Sequence, residues 1–357
     1  MQGGKAGPSR EFWNGRRVLV VGNTGFKGAW LGLWLRRLGA NVIGLSLPPP
    51  TTPSLFALAG LADLVPTDRV DIRDAVAVRT TLRDQRPEFV FHLAAQSLVR
   101  PSYREPVETY ATNVMGTVHV LEAVRATPTV RGVIVVTSDK CYENREWPWA
   151  YRETEPMGGH DPYSSSKGCA ELVTAAYRRS FLTEIGVASV RAGNVIGGGD
   201  WADDRLLPDC MRALAAGEAI AIRNPHAVRP WQHVLDPLCG YLVLAERLAG
   251  DPADFSDAWN FGPAEDDARP VAWIAERIVA QWGDGARWFH ACTDAPHEAD
   301  SLKVDASKAR RHLGWAPRLR LEEALAWTVE WHRCLTAGQS PRALTDRQIA
   351  RYSECMA

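Results

Sequence analysis

Residues 18–28 read VLVVGNTGFKG, an apolar run followed by glycines at every third position. The β-branched run predicts a buried strand, and the helical spacing of apolar residues over 25–39 predicts a helix directly after it. Glycines at such a junction let the backbone turn tightly and approach a pyrophosphate, to which the helix N-terminus offers free N–H groups. The stretch therefore predicts a dinucleotide-binding loop. Its members are Gly22, Asn23, Thr24, Gly25, Phe26, Lys27 and Gly28.

The alternation of strand and helix signals continues to about residue 198. Predicted strands lie at 16–22, 40–47, within 64–74, and at 88–96, 132–138 and 187–197, and predicted helices lie at 25–39, 75–85, 108–127 and 163–181. Short apolar strands that alternate with helices require a parallel sheet covered on both faces. We predict an α/β fold with a doubly wound parallel sheet of the Rossmann type, whose ligands bind at the carboxyl ends of the strands.

Beyond about residue 200, prolines and charged residues become more frequent and the predicted strands become shorter. We predict a smaller, mixed α/β C-terminal domain that closes over the sheet and binds the substrate. The predicted division is a disordered tail over 1–15, a dinucleotide-binding domain over 16–198 to which 232–262 returns, and a substrate-binding domain over 199–231 and 263–345.

The composition argues against several classes of function. A net charge of −1 and the lack of a long apolar run favour neither nucleic acid nor a membrane as a partner. The seven cysteines include no C-x-x-C pair and the nine histidines no H-x-x-x-H pair, so we predict reduced thiols and no metal site. With no apolar signal segment, the chain is predicted to be a cytoplasmic protein with a small-molecule ligand.

The residues near the glycine loop do not by themselves choose between NAD and NADP. An acidic residue that binds the adenosine ribose is expected at the end of the second strand, where this chain has Ser46. Lys27 is placed either to contact a phosphate or to face solvent. Asp71, which precedes Ile72, is placed to accept a hydrogen bond from the adenine amino group. The small-residue segment Leu93, Ala94, Ala95 and Gln96 allows a ligand to approach closely.

Tyr163 and Lys167 lie four residues apart at the start of a predicted helix, a spacing that puts both on one face. A nearby ammonium favours the phenolate, so we predict a lowered pKa for Tyr163. The tyrosinate would take a proton from a sugar or alcohol hydroxyl while a hydride leaves the same carbon. Ser138, at the carboxyl end of the preceding strand, is placed to hydrogen-bond that hydroxyl.

The glycine spacing, the strand-end serine and the Y-x-x-x-K pair, in this order, resemble those of the extended short-chain dehydrogenase/reductases that act on nucleotide sugars. Matching segments run from about residue 16 to 320 and include TNVMGT (112–117), RAGNVIG (191–197) and RPWQHVLD (229–236). The resemblance implies NAD as the cofactor. Family members pair through helices that correspond to 108–127 and 163–181, which implies a homodimer or a dimer of dimers.

The resemblance also implies roles for individual residues. Asn113, Tyr163 and Lys167 belong to the implied cofactor site, where Asn113 helps to hold a water that relays protons to the lysine. The implied substrate site contains Gln96, Ser138, Asn194, Arg205, Leu206, Arg229, His297 and Glu298. Asn194 and Arg229 are implied to contact the diphosphate, and His297 and Glu298 lie where the family contacts the substrate ribose.

The segment TSDKCYENREWPWAYRETEPMGGHDPYSSSKGCAELV (137–173) places Asp139 and Lys140 directly after Ser138. Most epimerases of the family lack an ionisable pair here, whereas the 4,6-dehydratases carry one, and the whole segment resembles the CDP-glucose branch of those dehydratases. The resemblance implies that Tyr163 deprotonates O4 while a hydride passes to the nicotinamide. The resulting 4-ketone acidifies C5–H, water is lost across C5 and C6, and the hydride returns to C6.

Two roles for Lys140 remain open, because lysine stands where the dTDP-glucose enzymes have glutamate. A neutral Lys140 would remove the C5 proton, with protonated Asp139 as the acid for the C6 hydroxyl, and an enclosed site favours both neutral forms. A charged Lys140 would instead stabilise the enolate.

The sequence alone is also compatible with other functions. A 4-epimerase needs the same cofactor and tyrosine but no Asp139–Lys140 pair. A dehydratase that acts on another nucleotide sugar shares the S-D-K motif. A dinucleotide-sensing binding protein would need neither Ser138 nor Tyr163.

Overall fold

The computed structural model describes residues 6–291 and 302–355 of the chain. Its strands are β1 (Arg17–Val21), β2 (Asn41–Ser46), β3 (Thr67–Arg69), β4 (Phe89–His92), β5 (Gly132–Val136), β6 (Gly186–Arg191), β7 (Val195–Ile196), β8 (Ile220–Ile222), β9 (Val228–Pro230), β10 (Gln232–His233), β11 (Ala258–Asn260), β12 (Ala268–Pro270) and β13 (Trp288–His290). Seven of them form one parallel sheet in the order β11-β6-β5-β4-β1-β2-β3.

The α-helices of the described residues connect these strands and cover the sheet. They are α1 (Arg10–Trp13), α2 (Phe26–Arg37), α3 (Leu55–Leu58), α4 (Ala75–Gln85), α5 (Val99–Arg104), α6 (Pro106–Tyr110), α7 (Gly116–Arg125), α8 (Pro162–Ser180), α9 (Leu206–Ala215), α10 (Leu235–Gly250), α11 (Pro252–Phe255), α12 (Val271–Trp282), α13 (Ser307–Leu313), α14 (Leu321–Thr336) and α15 (Pro341–Glu354). None of the helices described is both long and apolar enough to cross a bilayer.

The order of the strands explains where a ligand binds. The chain adds β2 and β3 on one side of β1, and β4, β5, β6 and β11 on the other. The direction in which strands are added thus reverses between β1 and β4, and such a reversal opens a crevice at the carboxyl ends of these two strands. The doubly wound Rossmann fold predicted from the sequence is therefore confirmed.

The central position of β1 in the sheet explains why its sequence is continuously apolar. Val18 and Val20 pack into the larger apolar core on one face of the sheet, and Leu19 and Val21 pack into a second core on the other face. Side chains alternate between the faces of a strand, so a sheet buried on both faces needs an apolar residue at every position.

The second half of the chain adds three small two-stranded sheets, which pair β7 with β10, β9 with β12, and β8 with β13. In the chain, α10 and β11 lie between β10 and β12 and return to the main sheet, where β11 pairs with β6. Strand β11 was not predicted from the sequence, because the three residues Ala258–Asn260 are too few to show a period.

The predicted disordered tail over 1–15 is wrong for residues 6–15. Trp13 is fully buried, and its Nε1 donates a hydrogen bond to Glu246 Oε1 at 2.7 Å. Its ring lies 5.1 Å from that of Phe89 in an edge-to-face contact. Burial of a large aromatic side chain stabilises the segment against its conformational entropy. Residues 1–5 lie outside the described residues.

Two predicted elements are divided in the structure. The predicted helix 108–127 contains a π-helical turn over Ala111–Met115 that separates α6 from α7. The predicted strand 187–197 is broken between β6 and β7, where Asn194 has a φ of 31°. Both interruptions lie beside the crevice, where irregular backbone is common at functional sites.

Candidate active site

A cavity of about 1120 Å³ opens at the carboxyl ends of the central strands. Most residues predicted for a cofactor, a substrate or catalysis line it. These are Gly22, Thr24, Gly25, Phe26, Lys27, Gly28, Asp71, Ile72, Leu93, Ala94, Ala95, Gln96, Ser138, Asp139, Lys140, Tyr163, Lys167, Asn194, Arg205, Leu206 and Arg229. His297 and Glu298 lie outside the described residues.

Two predicted residues do not line the cavity. The Asn23 side chain is fully buried and donates to Thr67 Oγ1 at 2.8 Å. The Asn113 side chain accepts from the Gln96 N–H at 2.8 Å and donates to Ser166 Oγ at 2.8 Å. Asn113 thus fastens the loop after β4 to α8, and the relay water implied for it remains a prediction.

Two glycines of the loop, Gly22 and Gly28, have no room for a side chain. Gly22 has a φ of 93°, and a Cβ there would lie 2.6 Å from the Ala94 nitrogen. At Gly28 a Cβ would lie 2.1 Å from the Gly22 carbonyl oxygen. The N-terminus of α2 can therefore pack against the ends of β1 and β4 only if both positions are glycine.

The first turn of α2 fits a pyrophosphate. The N-cap residue Gly25 makes no side-chain capping hydrogen bond, so the first N–H groups of the helix face the cavity uncapped. A Cβ at Gly25 would meet only the Gly22 carbonyl oxygen, at 3.5 Å. Uncapped donors, open space and the helix dipole together suit an anionic ligand.

Ser46 and Asp71 lie near the adenosine end of the loop. The Ser46 and Thr24 hydroxyls are 2.6 Å apart, which leaves a hydroxyl where an acidic residue was expected. Asp71 pairs with Arg73 at 2.6 Å, and this hydrogen-bonded guanidinium lowers the pKa of Asp71. Asp71 lines the cavity, and its contact with adenine remains a prediction.

Tyr163 and Lys167 lie on the first turns of α8, where Asp161 accepts a capping hydrogen bond from the Ser164 N–H at 2.9 Å. Both side chains are buried. Burial raises the pKa of Tyr163 to about 12, against the opposing effects of a Ser138 hydrogen bond and the charge of Arg205. The predicted lowering of this pKa is therefore wrong here, because loss of hydration outweighs the nearby positive charge.

Lys167 is held under the end of β5. Its Nζ donates to the Val136 carbonyl oxygen at 3.3 Å. Burial lowers the pKa of Lys167 to about 8, although the charge of Glu171 acts in the opposite direction. Lys167 is thus charged below about pH 8 and loses that charge as the pH rises further.

Ser138 and Asp139 begin a short 3-10 turn, Asp139–Cys141, at the end of β5. The Ser138 hydroxyl donates to Asp139 Oδ1 at 3.0 Å and accepts from the Lys140 N–H at 3.2 Å. Asp139 is buried and Lys140 is half-buried. Within the described residues no ion pair joins the two, so the turn holds them as separate groups on the cavity wall.

Lys27 belongs to the cofactor loop, but its charge is directed toward the reacting end of the cavity. Burial, followed by repulsion from Arg205 and Lys167, lowers the pKa of Lys27 to about 8, and the charges of Asp139 and Asp200 oppose this. Lys27 is half-buried on the cavity lining, and its contact with a phosphate remains a prediction.

Arg205 and the residues around it form the opposite wall. Arg205 donates to Asp200 Oδ2 at 3.0 Å and to Ser97 Oγ at 3.1 Å. Arg229 donates to the Val228 carbonyl oxygen at 3.0 Å and lines the same wall. Both arginines thus line the cavity, and the contact with a diphosphate that the resemblance implies for Arg229 remains a prediction.

A set of charged residues beside Arg205 was not predicted from the sequence. Asp204 pairs with Arg100 and with Arg223, each at 3.2 Å. Asp200 accepts from the Ala202 N–H at 3.1 Å. The cluster of acidic residues in GGGDWADDR (197–205) is a signal that could have indicated them.

Comparison with known proteins decides the family. The family model described as "NAD dependent epimerase/dehydratase family" matches residues 18–262. This chain belongs to the NAD dependent epimerase/dehydratase family. NAD is therefore the cofactor, as the sequence resemblance implied. The uncapped N-terminus of α2 fits the pyrophosphate of NAD.

Relatives within the epimerase/dehydratase family include a protein from Salmonella typhimurium (strain LT2) named CDP-glucose 4,6-dehydratase. It is 53% identical over 350 residues, which cover 96% of this chain and 98% of the relative. A dTDP-glucose 4,6-dehydratase from Xanthomonas campestris (strain B100) is 28% identical, over 88% of this chain and 92% of the relative.

Solved structures show the same epimerase/dehydratase fold. A dTDP-glucose 4,6-dehydratase from Streptomyces venezuelae, solved with NAD bound, has a TM-score of 0.75 at 24% identity and covers 91% of this chain and 99% of its own. A Thermus thermophilus UDP-glucose 4-epimerase in complex with NAD has a TM-score of 0.77 at 24% identity and covers 89% of this chain and 99% of its own. At these identities the likeness concerns the fold alone.

Proposed function

We propose that this chain is an NAD-dependent CDP-glucose 4,6-dehydratase that converts CDP-glucose to CDP-4-keto-6-deoxyglucose. The observation that carries the proposal is the turn at the end of β5. It places Ser138, Asp139 and Lys140 in one cavity with Tyr163 and Lys167. The 53% identity to a CDP-glucose 4,6-dehydratase supports both the reaction and the substrate.

The first step uses the Tyr163 side of the cavity. Tyr163 takes the O4 proton, and the Ser138 hydroxyl next to it orients the substrate oxygen. NAD, when bound, supplies the hydride acceptor for C4, the hydride donor for C6 and a positive charge that favours the Tyr163 phenolate. Lys167 adds a second positive charge on the same helix face.

The elimination uses the other side of the same turn. Asp139 is proposed as the acid that donates a proton to the departing C6 hydroxyl. Lys140 either removes the C5 proton itself or holds its positive charge beside the enolate while water takes that proton. The lack of an ion pair between Asp139 and Lys140 supports two distinct roles.

The nucleotide part of the substrate is proposed to lie against 199–231 and 263–345, the predicted substrate-binding domain. Arg205 and Arg229 would hold the diphosphate, since a guanidinium binds phosphate oxygens with two parallel hydrogen bonds. Asn194, whose φ is 31°, lines the same cavity. Gln96 and Leu206 complete the wall between the two parts of the chain.

The proposal includes a homodimer, formed through the helices that follow β4 and β5. Large apolar side chains of α6 and α8 are exposed there, with Val107 at 81% and Leu172 at 61% exposure. Such a patch on neighbouring helices suits a second copy of the chain. Val107→Glu with Leu172→Glu should lower the molar mass measured by light scattering from a multiple of 39.4 kDa to a single chain.

The proposed location is the cytoplasm. Every cysteine within the described residues is free, which agrees with a reducing compartment.

A substrate panel tests the proposed reaction. The purified protein is incubated with CDP-glucose, dTDP-glucose and UDP-glucose, and products are followed by proton NMR. A new C6 methyl signal from CDP-glucose only is expected, and Tyr163→Phe should abolish it. A galactose product without a methyl signal would instead indicate a 4-epimerase, and no product from any sugar would indicate a binding protein.

A further inference from the structure

One turn beyond Lys167, α8 carries a buried carboxylate that the proposed reaction does not use. Glu171 is only 4% exposed and does not line the cavity. The i to i+4 spacing puts Lys167 and Glu171 on the same side of the helix, below the floor of the active site.

The Glu171 carboxylate is fully occupied by donors from the sheet. It accepts from Arg191 Nη2 at 2.8 Å, Ser189 Oγ at 2.6 Å and Thr137 Oγ1 at 2.5 Å. Burial alone would raise the pKa of Glu171, but the charge of Arg191 and these hydrogen bonds hold the pKa below its ordinary value. Glu171 is therefore ionised throughout the neutral range.

The groups that face Lys167 come from several elements. They are Tyr163 and Glu171 on α8 itself, Lys27 on α2, His92 on β4, Cys141 on the 3-10 turn and Arg191 on β6 behind Glu171. Burial lowers the pKa of His92 to about 3 and raises that of Cys141 well above its usual value, so both are neutral near pH 7. The negative charge that acts directly on Lys167 is Glu171.

We propose that Glu171 is a positioning residue that keeps Lys167 protonated at the pH where the enzyme works. Glu171 contacts neither substrate nor cofactor and acts through the charge of Lys167. This role rests on the proposed function, because it concerns the same active site. The ionisation of Lys167 can nevertheless be measured without any substrate, so the two proposals can fail separately.

A purely structural role for Glu171 predicts a different result. The same network continues from Arg191 Nη1 to the Tyr142 hydroxyl at 2.7 Å and from there to Asn260 at 2.8 Å. A structural role would make Glu171 variants less stable but would leave the titration of Lys167 unchanged.

The test is a pH titration of Lys167 by NMR in protein labelled with ¹³C at lysine Cε. The chain has six lysines, and the signal that Lys167→Met removes identifies the resonance. We expect the wild-type midpoint near pH 8. Glu171→Gln should lower it by about 1–3 pH units, the range typical of a lost opposite charge.

Ser189→Ala is the matched control, because it removes one hydrogen bond to the same carboxylate without removing the charge. Its Lys167 midpoint should stay at the wild-type value. If Glu171→Gln does not fold, a double variant that combines it with Arg191→Gln leaves no unpaired buried charge. The Lys167 midpoint of this double variant should also fall. The proposal is overturned if the midpoint is unchanged in the folded Glu171 variant, or if Ser189→Ala shifts it equally.

Discussion

The Asp139 carboxylate packs directly against the backbone of Gly193, where a Cβ atom would lie 2.0 Å from Oδ2. Gly193 follows β6, whereas Asp139 follows β5, so the contact joins the ends of two neighbouring strands. The lack of a side chain at position 193 thus fixes where the proposed acid of the elimination sits.

Gly193→Ala should therefore damage catalysis more than stability. We expect kcat to fall on the order of 10²-fold, the cost of misplacing a reacting group by about 1 Å, with a much smaller effect on KM. Steady-state kinetics with CDP-glucose provide the measurement. Gly250→Ala is the control, since a Cβ at Gly250 meets nothing within 4 Å. Wild-type kcat in Gly193→Ala would contradict the proposed role of Asp139.

Tyr163→Phe should remove the proton acceptor and leave the rest of the site intact. The phenol is buried and no hydrogen bond that it donates fixes the fold within the described residues. We expect kcat to fall roughly 10²–10⁴-fold, the usual contribution of general base catalysis, with an unchanged melting temperature. Thermal denaturation and initial rates check both points, and a variant that keeps more than a tenth of wild-type kcat would exclude Tyr163 as the base.

Lys140→Met distinguishes the two roles of Lys140. If Lys140 is the C5 base, the variant should still oxidise C4 but should lose exchange of the C5 hydrogen with D₂O. If Lys140 only stabilises the enolate, exchange should continue at a reduced rate. Proton NMR of the C5 signal gives the answer, and exchange at the wild-type rate would contradict both roles. Arg145→Met, on the exposed part of the same segment, controls for loss of a positive charge nearby.

Asp236 should make the stability of the protein depend on pH. Its Oδ1 accepts from the Arg318 N–H and the Tyr352 hydroxyl, yet burial raises the pKa of Asp236 to about 7. Because the folded pKa lies above the unfolded value of about 3.9, the stabilising contribution of Asp236 is complete below about pH 4. It is lost as the pH rises through 7.

Asp236→Asn keeps the acceptor but cannot ionise. The free energy of unfolding of the wild type, relative to this variant, should fall by roughly 4 kcal/mol between pH 4 and pH 8. Urea unfolding at several pH values measures it. A difference between the two proteins that stays constant with pH would show that Asp236 has an ordinary pKa.

The fold and the centre of the site were predictable from the sequence because both follow from local patterns. Gly22, Gly25 and Gly28 stand between a strand and a helix, and the structure shows close contacts that require glycine at positions 22 and 28. The pair Tyr163 and Lys167 needs only helical spacing to share a face. All five of these residues line one cavity, and their roles in it remain predictions.

Features that depend on distant contacts were not predictable. Trp13 looked like part of a tail because its partners, Phe89 and Glu246, are remote in sequence. The pKa of Tyr163 was predicted in the wrong direction, because its sequence neighbours reveal the nearby charge but not the depth of burial. The link between Asp139 and Gly193 likewise depends on the pairing of β5 with β6.

The most direct test of the account follows the hydrogens of a single substrate. CDP-glucose that carries deuterium at C4 is converted in ordinary water, and unlabelled CDP-glucose is converted in D₂O. The account predicts that the C4 deuterium appears in the C6 methyl group of the product and that solvent deuterium appears at C5. Recovery of the C4 label at C4, with no methyl group formed and no solvent deuterium at C5, would contradict it.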